Sequence, residues 1–124
     1  MYIMLNKNKN LESSSSVSVS DINLQFLCFK YLGNNISDET LAVLESRLEK
    51  AKQCCLVFGN HPYNSHSASP KISKTVPTFA RQQKFVQAVE EAGFCARIVN
   101  LDALDHPNAR ISNISIVIST TSFE

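Results

Sequence analysis

Apolar positions along the chain recur in two rhythms, short unbroken runs and stripes three or four residues apart, and each rhythm predicts a different element. The opening "MYIML" (residues 1–5) reads as a short strand, followed by polar "NKNKNLE" and by "SSSSVSVS", a serine-rich loop over residues 13–20 with no packing capacity. The run "INLQFLCFKYL" (residues 22–32) has the length and aromatic content of a buried strand and stops at Gly33-Asn34-Asn35. Ser37 then suits a helix N-cap, with Asp38 and Glu39 in the first turn, where the helix dipole favours anions. A helix from there to about Gln53 places Leu41, Leu44, Leu48 and Ala51 on one face and leaves Glu45, Arg47, Glu49 and Lys50 largely outside it. "CCLVF" is the next strand, and it runs into a long loop, "GNHPYNSHSASPKISKTVP", of the kind that is usually functional or mobile. A second helix is expected over about Thr78 to Ala92, with Phe85, Val89 and Ala92 on one face and Phe79, Gln82, Val86 and Val89 on the neighbouring ridge; Gly93 suits its stop. "FCARIV" and, after the polar "NLDALDHPNAR", the β-branched "ISNISIVIST" complete the set as strands.

The order strand, strand, helix, strand, helix, strand, strand predicts an α/β domain with a mostly parallel sheet and covering helices. In open sheets of that kind ligands bind at the carboxyl ends of strands. Three loops so placed carry amide side chains: Asn8 and Asn10, Asn34 and Asn35, and Asn60 beside His61.

Composition narrows the classes. A chain of 124 residues with 44% hydrophobic residues suits one domain over residues 1–124. A net charge of +1, with Lys and Arg spread along the chain, gives no footprint for nucleic acid or an anionic membrane surface. No apolar run approaches the roughly 20 residues that span a bilayer, and the first apolar residues precede the first lysines, the reverse of a signal peptide. A cytoplasmic location is therefore expected. Cys28, Cys54, Cys55 and Cys95 each lie in an apolar run and read as reduced core thiols. A zinc site from Cys54, Cys55, His61 and His66 is the alternative, opposed by the adjacency of Cys54 and Cys55, which sends them to opposite faces of a strand. His66 and His106 read as solvated loop residues, Asp102 and Asp105 as part of a polar connection, Arg81 and Lys84 as a solvated helix face, and Tyr63 as packing locally, with stacking over a ligand as its alternative.

Three segments, in order, carry a family resemblance: "MYIMLNKNKNLE", "FKYLGNN" and "LVFGNHPYN". They resemble the Asp-x-His, Gly-Asp and Gly-Asn-His motifs of the amino-terminal half of calcineurin-like metallophosphoesterases. Asn8 and Asn10 stand where that family has aspartate and histidine, Asn34 stands for the aspartate of the second motif, and Gly59-Asn60-His61 matches the third, with Pro62 where an acid is usual. "RISNISIVISTTSFE" is similar to the strand that begins the second half of the family's sheet sandwich. The resemblance implies half of a four-layer α/β/β/α sandwich, two divalent metal ions as cofactors, a phosphoester substrate, and an in-line displacement by metal-activated water. It further implies Asn8, Asn10, Asn34 and Asn60 as the metal-facing positions and His61 as the catalytic residue that contacts phosphate. Asparagines in place of charged ligands leave two dications under-neutralised, and the family's later histidine motifs lie outside this sequence, so an impaired or inactive phosphoesterase is expected.

Two other classes remain open on the sequence. A non-catalytic remnant or protein-interaction module of the same fold would expose a sheet face and self-associate. A small α/β nuclease-like fold would use Asp21 and Asn23 of "DINL" with other acids.

Overall fold

The computed structural model describes residues 17–59, 70–101 and 113–123. The expected strand over residues 1–5 lies outside them. The first described element is a 3-10 turn, Val19–Asp21, closed by a reciprocal cap: Ser18 Oγ accepts from Ser20 N, and Ser18 N donates to Asp21 Oδ2 at 2.8 Å. The serine-rich stretch does have packing capacity here, because Val17 and Val19 sit against the hydrophobic core.

Residues 24–32 are helical, which overturns the strand expected over 22–32. Helix α1, Leu24–Leu27, begins at Asn23, whose Oδ1 accepts from Phe26 N, and it continues as a π-helical turn, Cys28–Leu32. The physical reason is a period of four: Leu24, Cys28, Leu32 and Ile36 are all buried, while Phe26, Phe29 and Lys30 between them are exposed. A strand would have buried every second residue. Gly33, at φ 71°, ends the turn in the left-handed region, and its N–H returns to Cys28 O.

Helix α2, Asp38–Lys50, starts at Ser37 as expected, and it buries Leu44 and Leu48 completely. Ala51, placed on the buried face by the sequence, is exposed at the C-cap, and Gln53 already belongs to strand β1, Gln53–Phe58. A three-residue strand, β2 (Lys71–Ser73), lies inside the segment expected to be loop throughout. Helix α3, Phe79–Glu91, is capped by Thr78 and followed by β3, Cys95–Asn100, and β4, Ile114–Ser119.

The domain is mixed α/β, and its four strands lie in the order β2-β1-β4-β3. β1 pairs with β2 in parallel, whereas β4 pairs antiparallel with both β1 and β3. The expected mostly parallel sheet is therefore replaced by a mixed one in which two of the three pairings are antiparallel. β1, β2 and β3 do point the same way, as a strand-helix-strand order requires. The last strand, though, enters between β1 and β3 in the opposite direction, so β1 and β3 are not neighbours.

Alternation along the strands divides the sheet into two faces. Cys54, Leu56 and Phe58 of β1, Ala96 of β3, and Ile114, Ile116 and Ile118 of β4 join Leu24, Cys28, Leu32, Leu44, Leu48, Phe85 and Val89 of the helices in one core. On the other face Arg97 lays its guanidinium over the Phe123 ring, 4.7 Å from the centroid. Among the described residues no helix is long and apolar enough to cross a membrane.

Candidate functional site

The shared direction of β1, β2 and β3 brings their carboxyl ends to one edge of the domain. Phe58 and Asn100 both register with Ile114 at the start of β4, and Gly59 N donates to Ser73 O at 2.8 Å, tying the exit of β1 to the end of β2. From Ser73 the chain turns through Pro77 into the amino terminus of α3. That edge thus gathers three strand ends, one strand start and a helix start.

A cleft of about 400 Å³ opens there, lined by Val76, Pro77, Phe79, Gln82, Ile98, Asn100 and Ile114. Its volume is within the usual range for small-molecule sites, roughly 300–1,000 Å³. Thr78 Oγ1 accepts from Arg81 N and sets the first turn of α3, which carries two of the lining residues in opposite states: Phe79 is 61% exposed and Gln82 only 4%. Gln82 Nε2 donates to Pro77 O at 2.7 Å, a buried bond that holds the carboxamide in place. Its Oε1 accepts no hydrogen bond among the described residues. The lining can bind and orient a molecule; neither of its carboxamides titrates near neutral pH.

Of the site positions read from the sequence, Asn8, Asn10, Asn60 and His61 lie outside the described residues, as do Tyr63, His66, Asp102, Asp105 and His106. Asn34 is described. It follows a helix instead of a strand: its N–H donates to Cys28 O at 3.1 Å and its Nδ2 to Leu32 O at 2.9 Å, so the side chain helps to close the π-helical turn. At neighbouring Gly33 an added Cβ would stand 3.4 Å from Nη1, the far end of the Arg81 side chain. Asp21 and Asn23, the acid and amide of the nuclease-like reading, are both occupied as caps. Arg81 and Lys84 are exposed, as expected of a solvated face.

Among the described residues no three His, Cys, Asp or Glu side chains come together as a metal site. Cys28 and Cys54 are buried and free, and Cys55 and Cys95 are half-buried and free. Cys54 joins the core while Cys55 points to the other face, the separation that adjacency on a strand requires. Burial pushes the Cys28 and Cys54 thiols up to about 12, so they are protonated and poor nucleophiles at neutral pH.

Gln82 was legible only as part of an apolar ridge. The available signal was a carboxamide at helical spacing between Phe79 and Val86, a position where a polar side chain must find a partner or leave one group unmatched. No family model matches the chain, and no curated protein and no solved structure matches it significantly.

Proposed function

We propose that this chain is a non-catalytic binding module whose working site is the cleft between the first turn of α3, the carboxyl end of β3 and the start of β4. The observation that carries the reading is the lining: five apolar side chains, Val76, Pro77, Phe79, Ile98 and Ile114, converge around one buried, pre-positioned carboxamide. Apolar walls with a few fixed polar groups are the usual make-up of a small-molecule pocket. A fragment titration followed by amide NMR shifts tests it. Aromatic fragments should shift the amides of Val76, Phe79, Gln82, Ile98 and Ile114 together; shifts scattered over the surface, or absent, would remove the proposal.

The phosphoesterase resemblance is the second reading, and one feature favours it. β1 leaves the sheet through Gly59 at φ 108°, directly before Asn60-His61, and Gly33 closes the π-helical turn at φ 71°. Both glycines of the resembling segments thus hold positive φ, at the end of the π-helical turn and at the exit of β1. In that reading divalent metal ions supply the charge and His61 meets the phosphoester. Metal-dependent hydrolysis of p-nitrophenyl phosphate and its diester is the test: a rate no higher than that of His61→Ala would eliminate turnover.

A further inference from the structure

We infer that the cleft selects a small, largely apolar ligand presenting one N–H or O–H donor, and that Gln82 Oε1 is the atom that recognises it. The inference rests on the cleft being a binding site, and it adds the chemistry of the occupant.

Gln82 is 96% removed from solvent, taking its 4% exposure from the whole, and its Nε2 is committed to Pro77 O at 2.7 Å. That bond fixes the carboxamide plane, so Oε1 cannot swing out to bulk water without breaking it. Oε1 accepts nothing among the described residues, while the side chain itself lines the cleft. Buried polar atoms in folded proteins are nearly always matched, by protein, water or ligand. An occupant with a donor answers this acceptor; one without a donor displaces any water there and leaves the oxygen unmatched.

The rest of the lining defines the rest of the molecule. Val76, Pro77, Ile98 and Ile114 offer only apolar contact, and Phe79, 61% exposed, offers a ring face at the edge of the cleft. Asn100, the other polar residue of the lining, has an interaction of its own within the protein. No charged side chain is on the described lining, so an ionic ligand would lose its hydration without compensation. A cleft of about 400 Å³ whose fixed acceptor is Gln82 Oε1 suits a compact heteroaromatic N–H or a phenol better than a peptide, which needs a row of main-chain partners.

Indole and benzothiophene make a matched pair, alike in shape and apolarity but differing in the N–H donor. Each is titrated into the whole chain, and binding is read from the amide NMR shifts of Gln82, Ile98 and Ile114. Indole should bind about five- to tenfold more tightly, the factor one net hydrogen bond supplies. In Gln82→Met, which keeps the volume and removes the acceptor, the preference should vanish. The wild-type comparison stands without the variant if that variant fails to fold. Equal binding of both compounds at the cleft overturns the role of Gln82 and leaves the cleft as a site, as does a preference that survives in Gln82→Met. Binding of neither overturns the cleft reading as well.

Discussion

Raising the pH from about 8 to about 10.5 should destabilise this domain through two thiols sealed in its core. Cys28 is 0% and Cys54 2% exposed. Burial pushes each thiol from 9.0 up to about 12; Cys54 adds to the rise at Cys28, and Cys55 adds to it at Cys54, where Arg47 acts in the opposite direction. A thiol gains charge by losing its proton. The unfolded chain gives that proton up near pH 9, whereas the folded chain holds it to about pH 12, so between these values the native state binds more protons and stability falls as pH rises. The contribution is whole below pH 9 and lost as pH passes through about 12. Above pH 9 each thiol takes away about 1.4 kcal/mol per pH unit, hence about 2 kcal/mol at pH 10.5 and about 4 kcal/mol for the pair. Against a usual total of about 5–15 kcal/mol, that is a large share. Urea unfolding in a reducing buffer, followed by circular dichroism at both pH values, gives the measurement. The readout is the difference between the native sequence and the Cys28→Ala/Cys54→Ala variant, which cancels every pH effect common to both. The native sequence should lose about 4 kcal/mol more than the variant. An equal loss in both would refute the reasoning, because the thiols would then be ionising no differently in the folded and unfolded states.

Three further substitutions probe the fold around the candidate site. Leu48→Ala removes a fully buried side chain between α2 and the sheet and should cost about 2–5 kcal/mol, seen as a lower urea midpoint at unchanged slope. Gly33→Ala places a Cβ on a residue at φ 71° and should cost about 1–2 kcal/mol in the same assay, whatever room the neighbouring Arg81 side chain yields. Asn34→Asp, which the resemblance would treat as restoring a metal ligand, instead removes the donor to Leu32 O and sets a carboxylate against that carbonyl; about 1–3 kcal/mol should be lost near neutral pH and partly regained in acid, where the protonated carboxyl can donate again.

The parts of the fold visible in the sequence are those where several local signals coincide. α2 and α3 each have a side-chain N-cap, Ser37 or Thr78, a stripe of apolar residues at helical spacing and a clear end. β1, β3 and β4 are short apolar runs bounded by polar segments, and they appear where the runs do. Residues 22–32 misled because an apolar, aromatic run carries two superposed patterns: its density resembles a buried strand, while only the spacing of Leu24, Cys28 and Leu32 reveals the helix. β2 was hidden for another reason. Lys71-Ile72-Ser73 has one apolar residue, and what makes it a strand is pairing with β1, which no local propensity encodes. Sheet direction was partly legible: the helix between β1 and β3 makes them point the same way, but nothing local says that β4 will separate them. At the site, the importance of strand ends was legible, and the asparagines were not decisive. Asn34 serves the end of a helix, and the carboxamide that meets the cleft, Gln82, came from a position that looked like packing.

The insertion of β4 between β1 and β3 also governs how the domain can be made. Gln53–Phe58 and Cys95–Asn100 leave the ribosome before Ile114–Ser119, and neither has its β4 partner until that last described strand emerges. The earlier strands must wait as separate, incompletely satisfied edges, one already joined to β2 and one alone. Closure of the sheet then depends on contacts far apart in sequence, such as Cys54 with Ile118, a topology that slows folding and lengthens exposure to misassembly. The strand that completes the architecture is thus also its timer.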